Sequence, residues 1–210
     1  YCIDNNRLAE EGNMPNWCSN SIAITGPIDQ IKDLWTRAQT ATVDSEDGER
    51  SFGLLEAMVP QPNYDEVDVP PALGEKKIMS DWWDWRVTNW GTKWDVSDEG
   101  LEFTDCEDGY GTISGWFESA WSPPIEAYNT FLERNEEFSI RSTYEEGGMD
   151  FAGIYEDGDD EGMEGISEWC EKIVRGECEL SDTPELFQRL DEEYDLVESR
   201  RDYIEEEMEG

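Results

Sequence analysis

The stretch Ser19–Thr25, SNSIAIT, sets Ile22 and Ile24 in alternation against polar neighbours. Successive side chains of a strand point to opposite faces, so the alternation predicts a short half-buried strand, ended by Gly26 and Pro27. Directly after it, Ile28, Ile31, Leu34 and Trp35 recur at helical spacing and predict a helix from about Pro27 to Gln39. A strand feeding an amphipathic helix opens an α+β fold.

Further along the chain, Phe52–Val59 is apolar enough for a buried strand, stopped by Pro60 and Pro62. Ile78–Trp85 suits a helical turn or two. Leu101–Thr104 and Gly111–Trp121 are β-rich, and Glu107-Asp108-Gly109 between them signals a hairpin. In the second of these strands Ile113, Gly115, Phe117 and Ser119 share one face, and Ser114, Trp116, Glu118 and Ala120 the other. Neither face is marked as the wet one. Ser122 is placed as the N-cap of a helix with Pro123 and Pro124 in its first turn and Ile125, Tyr128, Phe131 and Leu132 as its stripe. Phe138–Glu145 and Met149–Tyr155 read as strands joined by Gly147-Gly148. Asp157–Glu164 reads as an acidic loop and Ile166–Val174 as a helix. After Ser181–Pro184, the spacing of Leu186, Leu190, Tyr194, Val197 and Ile204 predicts two more helices. The order predicts an α+β fold: a ferredoxin-like antiparallel sheet with helices on one face, plus a C-terminal helical acidic extension. The expected organisation is an upstream extension over 1–13, a body over 14–155 with a Trp-rich insertion at about 63–96, and the acidic extension over 156–210.

The composition bounds the function. The 210 residues carry 53 Asp and Glu against 15 Lys and Arg, with no histidine, for a formal net charge of −38. High charge with low hydrophobicity points towards disorder, but ten tryptophans argue for a real core. Over half of the net charge lies from Glu145 onward, in under a third of the length. No apolar run approaches the ~18 residues of a membrane span, and no signal peptide is visible. The five cysteines, Cys2, Cys18, Cys106, Cys170 and Cys178, have no metal-ligand spacing and read as unpaired thiols of a reducing cytoplasm.

Several blocks together resemble a known family. Met14-Pro15-Asn16-Trp17-Cys18 before a strand ending in Thr25-Gly26-Pro27, the exit Pro60-Gln61-Pro62, and Asn89-Trp90-Gly91-Thr92-Lys93-Trp94-Asp95 are three of them. Ala120-Trp121-Ser122-Pro123-Pro124 and Tyr144-Glu145-Glu146-Gly147-Gly148 with Phe151-Ala152-Gly153 complete the set. They resemble the phage- and plasmid-borne YubB-type (Api-like) proteins over about Met14 to Tyr155. The resemblance implies a ferredoxin-like domain and a setting in bacterial mobile elements. It carries over no catalytic residue, and the tail after Tyr155 lies outside it.

Catalysis is not expected. Without histidine, histidine-dependent triads, zincin sites and deaminase sites are excluded, and no phosphate-binding glycine loop is present. Acid pairs abound, yet nothing singles one pair out. Trp82, Trp83, Trp85, Trp90 and Trp94 form a candidate aromatic platform, weighed against plain core packing, with Arg86 and Lys93 placed for cation–π contacts. Asp157, Asp159, Glu161 and Glu168 partly match a calcium loop, although Glu164 stands where an apolar residue belongs, and a solvated acidic loop is the plainer reading. No cofactor is expected.

The acids Asp157, Asp159, Asp160, Glu161, Asp191, Glu192, Glu193, Asp195, Glu198, Asp202, Glu205 and Glu206 are the candidate partner surface. Rows of carboxylates on successive helical turns repeat every ~5–6 Å, on the scale of phosphates along a nucleic-acid strand. The expected function is therefore a non-enzymatic nucleic-acid mimic in the host cell cytoplasm. It would bind the basic channel of a host nucleic-acid-binding protein such as a CRISPR effector, restriction enzyme or nuclease, without binding nucleic acid itself. The alternative is a salt-adapted or virion-associated protein whose acidity serves solvation.

Overall fold

A computed structural model describes residues 16–40, 53–62, 82–96 and 100–209. Its strands are β1 (Trp17–Pro27), β2 (Leu101–Asp105), β3 (Tyr110–Ala120), β4 (Ser139–Glu146), β5 (Phe151–Glu156) and β6 (Asp159–Glu164). Its helices are α1 (Ile28–Thr40), α2 (Leu54–Met58), α3 (Trp82–Asn89), α4 (Ile125–Arg134), α5 (Ile166–Val174), α6 (Glu185–Tyr194) and α7 (Leu196–Glu209). The protein is α+β, with one six-stranded sheet in the order β2-β3-β1-β4-β5-β6. Every neighbouring pair is antiparallel. The β2-β3-β1-β4 portion, with α1 after β1 and α4 after β3, has the ferredoxin-like split β-α-β order.

The alternation that opens the sequence sets the register. Ile24 lies opposite Ile113 on β3 and Ile140 on β4, and Phe103 on β2 extends the same row. The three isoleucines are fully buried. Over this row α1 lays Ile31, Leu34 and Ala38, and α4 lays Ala127, Tyr128 and Phe131, all within one core. Burying a side chain of this size contributes about 1.5–3 kcal/mol.

β5 separates two cores. Its Tyr155 belongs to the first and packs on Tyr128 at 5.3 Å. Its Ala152 and Ile154 face the other way, into a second core with Ile166, Cys170, Phe187, Leu190, Leu196, Val197 and Ile204. The C-terminal helices are thus docked on the sheet face opposite to α1 and α4. The sheet also continues past the boundary drawn at residue 155, since β6 pairs with β5.

Three local expectations are corrected. Of the run Phe52–Val59, Phe52 lies outside the described residues, and the rest does not give a strand: Leu54–Met58 is the short helix α2. Leu54, Leu55, Ala57 and Met58 are all buried, and a continuous apolar run satisfies a buried helix as well as a buried strand. Asp157–Glu164 is not a loop. Asp157-Gly158 makes a turn and 159–164 is edge strand β6, whose charged side chains suit an edge open to solvent. Ser122 does not cap α4. Pro124 holds that position without a side-chain cap, and Ser122 Oγ instead donates to the Gly91 carbonyl at 2.6 Å.

On β3 the alternation resolves as Ile113 and Phe117 inward and Ser114, Trp116 and Glu118 outward. The outer face is ambiguous in the sequence because it carries Trp116, which is 57% exposed. Tyr144 crosses to the edge strands, where its hydroxyl donates to Asp160 at 2.8 Å. A Cβ on Gly153 would lie 2.2 Å from that hydroxyl. Gly153→Ala is therefore expected to destabilise the fold by roughly 1–3 kcal/mol, as overpacking does. In urea unfolding, pairing it with Tyr144→Ala should recover part of the loss; additive losses would contradict the contact.

Candidate interaction surfaces

The Trp-rich segment is anchored from within. Trp90 is fully buried and its Nε1 donates to the Val59 carbonyl at 2.9 Å. Trp85 packs edge-on against it at 5.8 Å, and both belong to the first core. Thr92, buried to 1% exposure, donates through Oγ1 to the Ala120 carbonyl at 3.0 Å. Asp95 accepts the backbone N–H groups of Leu55, Glu56 and Val96 at 2.8, 2.9 and 2.8 Å. It thereby satisfies donors at the start of α2 that the helix itself leaves open. Removal from solvent pushes the Asp95 carboxyl up to about 6, while the three N–H groups and Arg86 pull in the other direction. Glu56 is raised by burial as well.

The five tryptophans therefore do not form one platform. Trp85 and Trp90 are core, as packing alone predicts. Trp82 is exposed, with the Arg86 guanidinium 5.0 Å from its ring; the same guanidinium lies 4.8 Å from Trp90. Trp83 is half-buried on α3. Trp94 joins two rings from distant parts of the chain, Trp17 at 5.9 Å and Trp121 at 6.4 Å. Lys93 Nζ lies 4.4 Å from the centre of Trp94 and 5.4 Å from Trp121. Cross-strand register makes this cluster: Trp17 stands opposite Ala120, the residue before Trp121.

The predicted acids fall on β6, α6 and α7, and several have internal partners. Asp157 accepts Ile140 N–H at 2.7 Å and the Ser139 hydroxyl at 3.0 Å. Asp160 accepts Tyr144, and Glu161 pairs with Arg189 at 2.7 Å. Asp191 accepts Val197 N–H at 2.8 Å and so starts α7. Glu193 lies 3.9 Å from Arg141, while Glu198 and Glu205 lie 2.8 and 3.8 Å from Arg201. Asp159, Glu192, Asp195, Asp202 and Glu206 are exposed and have no side-chain partner among the described residues. After Ile204, the residues Glu205, Glu206, Glu207 and Met208 are all exposed, so the end of α7 projects from the second core.

The calcium reading is corrected. Asp159 and Glu161 lie on an extended strand instead of a loop that wraps an ion, and Glu168 on α5 pairs with Lys172 at 2.6 Å. Among the described residues no group of three or more Cys, Asp or Glu side chains is placed to hold a metal ion. Cys18, Cys106, Cys170 and Cys178 are unpaired. Burial raises the Cys18 thiol to about 12 and that of Cys170 to about 11, so neither is a ready nucleophile. Between α1 and α4 lies a groove of about 300 Å³ flanked by Asp29, Asp33, Arg37 and Phe138. No helix among the described residues is long and apolar enough to cross a membrane.

No protein-family model matches the chain, and no curated protein does. Among solved structures it is similar to protein Api92 of Yersinia pseudotuberculosis, described as DUF1281. The identity is 12%, over 72% of this chain and 98% of that one, with a TM-score of 0.39. This is a weak structural likeness to an Api-type protein, too slight to carry any statement about function.

The Asp95 cap has a pH signature. Its carboxyl is raised on folding, so its contribution to stability is full below about 4 and is lost as pH rises through about 6. The stability of the native chain relative to Asp95→Asn should fall by about 2–3 kcal/mol across that window, because each pH unit between the unfolded and folded titrations is worth about 1.4 kcal/mol. A difference that stays flat from pH 4 to 7 in denaturant titrations would contradict the burial of this group.

Proposed function

We propose that the protein is a non-enzymatic inhibitor from a phage or other mobile element that mimics nucleic acid. It occupies the basic channel of a host defence or DNA-processing protein, of the CRISPR-effector, restriction-enzyme or nuclease kind. The observation that carries this reading is the disposition of charge. Lys32, Arg37, Arg141, Lys172, Arg175, Arg189, Arg200 and Arg201 are all engaged in ion pairs within the chain. Arg86 and Lys93 lie over indole rings. What remains towards solvent on β6, α6 and α7 is a surface of carboxylates held on a folded frame. Such a surface steers fast, salt-sensitive association with a basic groove and repels nucleic acid itself.

Internal partners decide which acids to change. Asp191 supports the start of α7, and Asp195 has a left-handed φ of 49°, which a lysine tolerates less well than an aspartate. Glu192, Asp202 and Glu206 have neither role. Glu192→Lys, Asp202→Lys and Glu206→Lys together are expected to leave the melting temperature within a few degrees of the native value. They should weaken displacement of a DNA duplex from a purified target channel at least tenfold at low salt. If the native protein displaces DNA from no such channel, or the reversed protein does so equally well, the mimicry reading fails.

A further inference from the structure

Trp17, Trp94 and Trp121 form an aromatic corner at one end of the sheet. Trp17 is 45% exposed and Trp121 37%. Each ring is flanked by a buried residue, Cys18 beside Trp17, Thr92 two residues before Trp94 and Ala120 before Trp121, and the Asp95 side chain next to Trp94 is tied to the start of α2. The Trp121 N–H donates to the Asn16 carbonyl at 2.9 Å. Trp121 also has a left-handed φ of 68°, which is unfavourable for a bulky side chain by about 1–3 kcal/mol. The indole carried by this backbone geometry is 37% exposed.

The same sheet face continues the pattern. Along β1, Trp17 shares the outer face with Ser19 and Ser21, and along β3 Glu118 shares it with Trp116. Glu118 stands opposite Ser19, diagonal to Trp17, and is exposed. Indole faces thus alternate with a carboxylate on an open part of the sheet, while the C-terminal helices cover Ala152 and Ile154 of β5. Within the chain, indole rings already hold three cations among the described residues: Arg86 on Trp82, Lys93 between Trp94 and Trp121, and Lys172 on Trp169. With a net charge of −38, a second copy of this chain is a disfavoured occupant.

We infer that this outer face is a docking site for an arginine-bearing segment of a protein partner. Trp17, Trp116 and Trp121 receive guanidinium planes and Glu118 pairs with one of them. Arginine suits the site better than lysine because its planar guanidinium stacks on an indole and pairs with a carboxylate at the same time. The site is separate from the acids of α6 and α7 and does not depend on nucleic-acid mimicry.

The probes are fluorescent nona-arginine and nona-lysine peptides, titrated with the full chain at physiological ionic strength. Nona-arginine is expected to bind at least tenfold tighter than nona-lysine. Trp17→Ala with Trp121→Gly should bring arginine affinity down to that of lysine and leave the lysine value unchanged; glycine at 121 also relieves the backbone. Trp116→Ser, outside the aromatic corner and with Glu118 kept, should lower arginine affinity in the same selective way. The Glu192, Asp202 and Glu206 reversal should weaken both peptides alike and preserve their ratio. Equal affinities in the native chain, a ratio untouched by both surface variants, or a ratio lost only on reversing the tail would overturn the site. So would a native dimer by sedimentation that Trp17→Ala dissociates, since the occupant would then be a second copy.

Discussion

Everything in this fold is built against self-repulsion. A chain with a net charge of −38 must gain more from apolar burial than it loses by bringing carboxylates together. The means is β5, a strand whose two faces belong to different cores. Tyr155 closes the ferredoxin-like half, while Ala152 and Ile154 receive the acidic helices. Through β5 the most acidic part of the chain is docked on apolar contacts, and its charge stays at the periphery.

The few cations reinforce that arrangement. Arg200 on α7 reaches Glu145 on β4, where both side chains are 21% exposed. Arg189 on α6 reaches Glu161 on β6, and Arg141 on β4 reaches towards Glu193. Exposed ion pairs contribute little singly, about 0–1 kcal/mol each. Their collective effect is to pair these cations with carboxylates of the same chain, three of the pairs bridging different elements. The surface of β6, α6 and α7 presents mostly carboxylates, and one end of the sheet presents an aromatic corner.

The sequence is most legible where a single period governs a segment. Ile22 and Ile24 against serines and threonines mark β1, and Ile166, Trp169, Cys170 and Ile173 mark α5 with its observed ends. The ferredoxin-like order follows from these elements together. Where burial is continuous, as at Leu54–Met58, periodicity has nothing to distinguish, and the helix depends on a cap from Asp95 about forty residues away. β6 is hidden because DDEGME has no apolar alternation; its pairing with β5 makes it a strand. The acids of the surface are readable by type, but which of them are free is not. Asp157, Asp160 and Asp191 take structural partners that only the tertiary arrangement brings near. The aromatic corner is half legible: Trp94 stands out beside Lys93, whereas Trp17 and Trp121 meet it only through the β1–β3 register.

The central claim is that this charge serves a partner and that the apolar cores hold the chain without help from salt. Thermal unfolding of the full chain at an ionic strength of about 10 mM, where charges interact over ~30 Å, tests it most directly. The account predicts a cooperative transition there, with a midpoint that rises modestly as salt is added. A chain that unfolds at low salt and regains a cooperative transition only near molar salt would contradict it and make the acidity an adaptation to brine.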